Sequence, residues 1–306
     1  MAQKTVLAVS NSDDAHVRVV AQRLNERSID VHRLDSDTFA SDHHWCIPSD
    51  NKDSSLTGFI PNVDVVWYRK VVFPEARTIV QSFVRQEIEG LFDSLLAEYD
   101  NCRWVNPRNC LSAARPKISQ LKRAKQLGFR VPDTLITSSL EELKVFAASH
   151  DGRIVAKPIQ VQVVGSGNDS LVVGTRNLSP EHYESAISCC PGYFQEKLPF
   201  TSEIRVIVFG KQQYPFRLTA RKDAADIKQL KLKDIKHEQC RLDGSTSKKI
   251  DALMASYGLE FGAVDLADIG DEEPVFFELN PNGQWLWLQY MTGENLLDPF
   301  IDLLCC

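Results

Sequence analysis

Three oxygen-bearing side chains near the end of the sequence are spaced like ligands of a hard metal ion. Glu278 and Asn280 belong to an apolar run that begins at Val275, and their spacing of two places both on one face of an extended chain. Asp265 ends an earlier apolar run that starts at Phe261, so a hairpin between the two runs would bring the three side chains together. Mg²⁺ accepts such carboxylate and amide oxygens while it keeps waters and substrate phosphates. The pattern predicts a Mg²⁺–nucleotide site; the alternative is that Glu278 and Asn280 only end a strand and shape an Asn-Pro turn.

Cationic side chains precede this pattern at positions suited to phosphate. Lys157 ends a predicted strand and Lys117 opens a predicted helix, although each alone is more typical of a solvated lysine. Arg205 lies on the strand before the hairpin, where it can stabilise charge on a transferring phosphoryl group. The alternative is a structural pair with Glu203, which shares its strand face. Gly165-Ser166-Gly167 is a candidate flap over phosphates, but alone it is more typical of an ordinary turn. The chain has neither the Walker nor the G-x-G-x-x-G spacing.

Apolar periodicity indicates an α/β protein. Thr5–Ser10 is predicted as a buried strand, followed by an amphipathic helix over 17–24 and a second strand over 31–34, an order typical of parallel α/β architecture. Residues 39–56 are polar and predict a loop. Further strands are predicted over 63–69, 104–107, 134–137, 153–158, 192–198, 203–209, 213–219, 261–265 and 275–279, and further helices over 78–99, 117–127, 140–148, 247–257 and 295–304.

Bulk properties limit the partners. The chain has 306 residues, enough for two or three domains, and 43% hydrophobic with 25% charged residues is an ordinary globular composition. A formal charge of −6 argues against a nucleic-acid partner, because such proteins carry a basic face. No apolar run is long enough for a signal peptide or a membrane span, which predicts no membrane partner and a cytoplasmic location. The eight cysteines form no C-x-x-C pair, so reduced thiols are favoured over a metal site.

From Leu111 to the end, the order of these residues resembles the ATP-grasp superfamily. The resemblance implies ATP and Mg²⁺ as cofactors, with two lysines on the phosphates, an inter-lobe connector on the adenine and an early acidic residue on the ribose. The residues implied to contact ATP are Lys117, Lys157, Gln195, Glu196, Lys197, Leu198 and Glu203, the implied Mg²⁺ ligands are Asp265, Glu278 and Asn280, and the implied catalytic residue is Arg205.

A closer resemblance is to the graspetide (microviridin-type) maturases of ribosomal peptides. The segments that carry it are 67–70, 106–107, 120–121, 128–137 and 280–288, the last being Asn-Pro-Asn-Gly-Gln-Trp-Leu-Trp-Leu. The chain departs from the family pattern at 200–202 and after Thr219, and these departures concern the substrate more than the ATP chemistry. The resemblance implies an ATP-grasp fold with three parts: an N-terminal parallel α/β pre-ATP-grasp domain (1–111), a central lobe that acts as a lid (112–191) and a C-terminal lobe with the Mg²⁺ site (192–306).

The implied activity is that of an ADP-forming ATP-grasp ligase. It would activate Asp or Glu side chains of a precursor peptide as acyl phosphates and close side-chain ester or amide macrocycles. Arg69, Arg217 and Arg221 are candidates for contacts with the substrate. The helix over 78–99 and the basic segment 228–236 are candidates for binding the leader of the peptide, and a homodimer is expected from the resemblance. Two alternatives remain open: a ligase that joins an amino acid or amine to a small-molecule or protein-tail carboxylate, and a non-catalytic nucleotide-binding protein.

Overall fold

The structure is a computed structural model that describes most of the chain. The described residues are 4–42, 60, 62–160, 163–164, 171–200, 202–220, 234–270 and 272–306. The predicted flap at 165–167, Arg221 and the lysines at 228, 231 and 233 lie outside them. Within the described ranges, no helix combines the length and the apolar character needed to span a membrane.

Four parallel strands form the N-terminal sheet. The strands are β1 (Thr5–Ser10), β2 (Asp30–Asp35), β3 (Val65–Tyr68) and β4 (Arg103–Val105), and the helices are α1 (Ala15–Glu26), α2 (Phe39–Asp42) and α3 (Ile79–Ala97). The strand order is β2-β1-β3-β4, which confirms the expected parallel α/β domain. Every residue of β1 is buried, because α1 packs on one face of the sheet and α3 on the other. The short helix α2 occupies the start of the segment that was predicted to be a loop.

The central lobe is built on an antiparallel sheet. It contains α4 (Arg108–Ala114), α5 (Lys117–Gln126), β5 (Thr134–Thr137), α6 (Leu140–Ser149), β6 (Ile154–Lys157), β7 (Val163–Val164), β8 (Leu171–Val172), β9 (Arg176–Asn177), α7 (Tyr183–Ile187) and β10 (Gly192–Glu196). The main strands are ordered β5-β10-β6-β9, and β7 pairs with β8. The predicted division at residue 192 assigns β10 to the C-terminal lobe, whereas the hydrogen bonds of β10 to β5 and β6 place it in the central sheet.

The C-terminal lobe is a five-stranded antiparallel sheet. Its elements are β11 (Ser202–Phe209), β12 (Gln212–Ala220), β13 (Ile235–Gln239), α8 (Gly244–Tyr257), β14 (Phe261–Asp268), β15 (Val275–Asn280), α9 (Leu286–Thr292) and α10 (Leu297–Cys305). The strand order is β13-β12-β11-β14-β15. All residues of β11 and β14 are buried, because both strands lie inside the sheet and both faces of the sheet are covered.

The end of the chain returns to the N-terminal domain. Phe300 of α10 packs against Trp67 of β3, with their ring centroids 4.9 Å apart. Arg23 of α1 binds Asp298 through an Nε–Oδ1 contact of 2.8 Å. Residues of β1, β3, β11, β14 and α10 belong to one hydrophobic cluster, so the N-terminal domain and the C-terminal lobe share a core.

Candidate active site

A row of three charged side chains crosses three neighbouring strands of the C-terminal sheet. Arg205 on β11 lies directly opposite Asp265 on β14, which in turn lies directly opposite Glu278 on β15. Asn280 lies two residues further along β15, opposite Ala263, so its side chain emerges on the same face as the row. The structure therefore brings together the three predicted metal ligands and the predicted catalytic arginine.

Arg205 is locked in place by two partners. Its Nη1 donates hydrogen bonds to both carboxylate oxygens of Asp265, over 2.8 and 3.0 Å, and its Nη2 donates to the carbonyl of Gln284 over 3.2 Å. Both members of the ion pair are buried, where charge-assisted hydrogen bonds are strong. The guanidinium is thus held in one orientation before any ligand arrives.

A β-bulge reshapes β15 beside this row. Asp265 pairs with Glu278 while Leu266 pairs with Phe276, which leaves Phe277 as the extra residue. The ammonium of Lys157, at the end of β6, lies 4.5 Å from the centroid of the Phe277 ring. The bulge therefore presents an aromatic face to the central lobe, a feature that the sequence pattern did not indicate.

Lys117 approaches the row from the first residue of α5. Its Nζ lies 3.7 Å from Oε2 of Glu278 and donates to the carbonyl of Pro158 over 3.1 Å. Because Pro158 directly follows Lys157, both predicted phosphate-binding lysines meet at the end of β6 and beside β15. This cluster of positive charge is well placed for the oxygens of a polyphosphate.

Gln120 holds α5 against β15, named here the metal strand because it carries the predicted metal ligands Glu278 and Asn280. Its Nε2 donates to the carbonyl of Leu279 over 2.7 Å, and its Oε1 accepts from the N–H of Leu279 over 2.8 Å. A buried amide that satisfies both groups of one residue fixes the distance between Lys117 and Glu278. Sequence reasoning gave Gln120 no role, although it lies one helical turn after Lys117, on the same face of α5.

The connector after β10 mixes structural and ligand-facing groups. The Gln195 side chain is buried and donates to Oγ1 of Thr134 over 2.9 Å and to the hydroxyl of Tyr193 over 3.0 Å. The N–H groups of Glu196 and Lys197 donate to backbone carbonyls within the lobe, over 3.0 and 2.8 Å. These N–H groups are therefore engaged inside the protein, and the carbonyl groups of the connector are better candidates for contacts with an adenine edge.

Leu198 lies with the apolar side chains that flank the metal strand. It is buried in a cluster with Ala267 and Val275, and Phe277 packs against that cluster. Glu203 is also buried and lies opposite Ala267, on the same face as Arg205. An apolar wall beside a carboxylate suits a base and a ribose, which are the roles that the resemblance implied for Leu198 and Glu203.

Arg217 is not brought to the row. It lies opposite Ile204, and neighbours along a strand alternate between the two faces, so Arg217 emerges on the other face of the sheet from Arg205. Its Nε donates to Oδ2 of Asp268 over 2.8 Å, and Ser202 Oγ donates to the same oxygen over 2.8 Å. This ion pair gives Arg217 a structural partner on the other face of the sheet, and its predicted contact with the substrate stays a prediction.

Arg69 is buried at the carboxyl end of β3. Its Nε donates to Oδ2 of Asp14 over 2.6 Å, and its guanidinium carbon lies 5.7 Å from the centroid of the Trp67 ring. Within the described part of the chain, its two terminal nitrogens have no hydrogen-bond partner. The side chain is fully enclosed, so the predicted contact of Arg69 with substrate would require its surroundings to open.

Solved structures with the same architecture match almost the whole chain. The macrocyclase MdnC from Microcystis aeruginosa MRC, bound with the precursor peptide MdnA, has a TM-score of 0.85 at 23% identity, covering 98% of this chain and 99% of that one. A RiPP-associated ATP-grasp ligase from Chryseobacterium gregarium, in complex with ADP, a leader and a core peptide, has a TM-score of 0.86 at 23% identity, covering 99% and 97%. The chain has the ATP-grasp fold.

A third ATP-grasp ligase gives the same result. PsnB, complexed with a phosphomimetic variant of its minimal precursor, Mg and ADP, has a TM-score of 0.78 at 20% identity, covering 99% of this chain and 98% of that one. No protein-family model and no curated protein sequence matches the chain. The likeness to the three solved structures therefore rests on shape over nearly the full length.

The ATP-grasp fold of this chain presents a donor set that fits Mg²⁺. In the described ranges, no group of three or more His, Cys, Asp and Glu side chains is placed to hold a metal ion. The row supplies two carboxylates, Asp265 and Glu278, and Asn280 beside it supplies an amide oxygen. These three ligands leave coordination positions for waters and phosphate oxygens. Asp265 can bind Arg205 and a cation together, because each carboxylate oxygen has more than one lone pair.

Proposed function

We propose that this chain is an ADP-forming ATP-grasp ligase that activates Asp or Glu side chains of a precursor peptide and joins them to hydroxyl or amine side chains of the same peptide. The observation that carries the proposal is the alignment of Arg205, Asp265 and Glu278 across three strands, with Lys117 and Lys157 beside it. The complexes of the three similar ligases with precursor peptides support a peptide as the acceptor.

The nucleotide would lie between the central and C-terminal lobes. Asp265, Glu278 and Asn280 would hold Mg²⁺, which would neutralise negative charge on the phosphates. Lys117 and Lys157 would bind the phosphates directly, from the start of α5 and the end of β6. Leu198, Phe277 and the connector carbonyls would enclose the base, and Glu203 would contact the ribose.

The residues of the chain act mainly by position and charge. A peptide carboxylate oxygen would attack the γ-phosphorus of ATP, so a P–O bond forms to the carboxylate and the bond to ADP breaks. Arg205, which Asp265 and the Gln284 carbonyl keep in one orientation, would stabilise charge on the transferring phosphoryl group. A hydroxyl or amine of the peptide would then attack the acyl carbon, lose its proton, and release phosphate as the ester or amide forms.

We further propose that α3 supplies a homodimer interface. Its first turns carry four exposed apolar side chains, namely Ile79, Val80, Phe83 and Val84. Patches of this kind mark interaction sites. Arg85, which directly follows the patch, binds Glu89 on the same helix, with Nε 2.6 Å from Oε1, so its charge is neutralised within the helix and does not repel a second copy.

Intact mass spectrometry tests the proposed reaction. The chain is incubated with ATP, Mg²⁺ and a candidate precursor peptide rich in Thr, Ser, Asp and Glu. Loss of the mass of water for each ring, absent with Glu278→Gln, is the expected result. An unchanged peptide with continued turnover of ATP on free amino acids would assign the chain to small-molecule ligases instead, and no turnover with any acceptor would contradict the proposal.

A further inference from the structure

The turn that follows the metal strand is held from outside its own lobe. This closing turn, residues 281–285, connects β15 to α9, which begins at Leu286. Asn106 of the N-terminal domain donates from Nδ2 to the carbonyl of Pro281 over 3.1 Å. Asn282 donates from its Nδ2 to the carbonyl of Arg69 over 3.2 Å. The N-terminal domain thus contributes to the geometry of a site that lies on the C-terminal sheet.

His16 makes the decisive contact. The imidazole lies on α1, and its Nε2 accepts hydrogen bonds from the backbone N–H groups of Trp285 and Leu286, each over 3.1 Å. The carbonyl of Gln284 and the N–H of Trp285 belong to one peptide group. That carbonyl accepts the hydrogen bond from Nη2 of Arg205. A single peptide group therefore joins His16 of the N-terminal domain to the catalytic guanidinium.

This arrangement requires one protonation state of His16. A nitrogen that accepts two hydrogen bonds carries a free lone pair, so the ring proton must be on Nδ1, which lies 3.6 Å from Oδ1 of Asp14. Asp14 itself accepts hydrogen bonds from Nε of Arg69 over 2.6 Å and from Oγ of Ser10 over 3.0 Å. Burial lowers the pKa of His16, the hydrogen bond with Asp14 raises it, and the charges of Arg69 and Lys70 lower it. The net effect on the pKa is downward, which favours the neutral ring.

We infer that His16 is a positioning residue of the nucleotide site, where its neutral imidazole holds the peptide group of Gln284 and Trp285 and thereby aligns Arg205 and the closing turn. A proton on Nε2 would place a donor against two N–H donors and break both hydrogen bonds. The inference rests on the proposed nucleotide site and is independent of the peptide that the ligase modifies.

The experiment measures how much Mg²⁺ strengthens ADP binding, by calorimetric titration of the full chain with ADP, with and without Mg²⁺, from about pH 5.5 to about pH 8. Three variants are compared with the wild type. His16→Gln offers an amide oxygen near the position of Nε2 but does not titrate, and His16→Leu removes the acceptor. His32→Gln is the matched control, because His32 is a half-exposed histidine of β2 in the same domain.

The wild type and the control should lose Mg²⁺-dependent ADP affinity as the pH falls through the pKa of His16, which burial places below the usual value of about 6.5. His16→Gln should stay within about threefold of the wild type at neutral pH and lose less affinity in acid than the wild type, because only the protonation of the ADP phosphate, with a pKa of about 6, affects this variant. His16→Leu should bind about tenfold more weakly than the wild type at neutral pH, because it leaves two buried N–H groups without a partner, and the difference should shrink as His16 is protonated in the wild type. Wild-type affinity in His16→Leu, or an acid loss in His16→Gln equal to that of the wild type, would overturn the inference while the proposed function stands. Should His16→Leu not fold, the comparison between the wild type and His16→Gln decides alone. No ADP binding by the wild type at any pH would instead contradict the proposed function.

Discussion

Gly283 lies so close to Ala263 that the closing turn has room for no side chain at this position. A Cβ added at Gly283 would lie 2.5 Å from the Cβ of Ala263 and 3.2 Å from Nη2 of Arg205. Ala263 belongs to the buried strand β14 and cannot retreat, so any side chain must displace the turn or the guanidinium. The glycine of the Asn-Pro-Asn-Gly-Gln segment is therefore explained by the packing of the turn against the face that carries the candidate site.

Gly283→Ala should weaken Mg²⁺-dependent ADP binding and slow ATP turnover by about ten- to hundredfold, because the turn after Asn280 and the guanidinium of Arg205 must move. Calorimetry and a coupled ADP-release assay measure the two effects. Gly90→Ala is the control, because a Cβ added at Gly90 meets no atom within 4 Å. Gly90 lies inside α3, so the alanine should raise the free energy of unfolding by about 0.5–1 kcal/mol without a change in ADP binding. Wild-type binding and turnover in Gly283→Ala would show that the turn can relax.

Arg205→Met alone should lower the free energy of unfolding more than Arg205→Met combined with Asp265→Asn. The single variant leaves the carboxylate of Asp265 without its guanidinium partner, which costs about 3–5 kcal/mol for a buried ion pair. Asp265→Asn in the Arg205→Met background removes that buried charge, so part of the free energy of unfolding should return while ATP turnover stays absent. Urea denaturation of the two variants measures the difference. Equal stabilities would mean that Asp265 is solvated or otherwise neutralised when Arg205 is lost.

Lys117→Met should weaken ADP binding by about tenfold or more, because a charge-assisted contact to phosphate is lost from a partly buried position. Lys122→Met provides the control, since Lys122 lies on the same helix with an exposed side chain. Calorimetric titration at low and high salt separates a direct contact from a general field effect, which salt screens. An equal loss in both variants would point to the field of the helix rather than to a phosphate contact.

Local patterns predicted the elements of this chain better than the contacts between them. The predicted bounds of β1 and β5 match those in the structure, because apolar runs between polar turn residues define short buried strands. The helix α9 was missed, since its Leu-Trp-Leu-Gln-Tyr sequence contains aromatic residues, which favour strands. The helix packs against β13, and Leu286 and Leu288 belong to the core shared with the N-terminal domain, contacts that no local pattern records.

In the candidate site, too, contacts between neighbouring segments could be predicted from the sequence and contacts between distant segments could not. A hairpin that brings Asp265 to Glu278 could be predicted, because the two runs are neighbours in sequence and antiparallel pairing is the short connection. The ion pair of Arg205 with Asp265 could not be predicted, since Asp265 is 60 residues away in sequence and Glu203, two residues away, is the more obvious partner. His16 and Gln120 act on backbone groups far along the chain, and one histidine or glutamine carries no sequence signal for such a contact.

Stability should fall as the pH drops below about 6.5, and His16 should account for part of the slope. Burial lowers the pKa of His16 in the folded chain, so between that lowered pKa and about 6.5 the unfolded chain binds more protons than the folded one. The contribution of neutral His16 to the free energy of unfolding is therefore complete above about pH 6.5, and it is lost as the pH falls toward the pKa of His16 in the folded chain. Urea denaturation at several pH values should show a shallower slope for His16→Gln than for the wild type or His32→Gln. Identical slopes would mean that His16 titrates alike in both states.

Phe83→Glu should shift the chain from dimer to monomer. Phe83 is 64% exposed in the apolar patch of α3, and a charge there would have to be desolvated in a helix-to-helix interface. Sedimentation velocity over a range of protein concentrations measures the change, and thermal unfolding at low concentration checks that the monomer stays folded. Val145→Glu is the control, because Val145 is equally exposed but lies on α6, outside the patch. A wild-type chain that stays monomeric at every concentration, or a Phe83→Glu variant that dimerises like Val145→Glu, would contradict the α3 interface and leave the exposed patch to another partner.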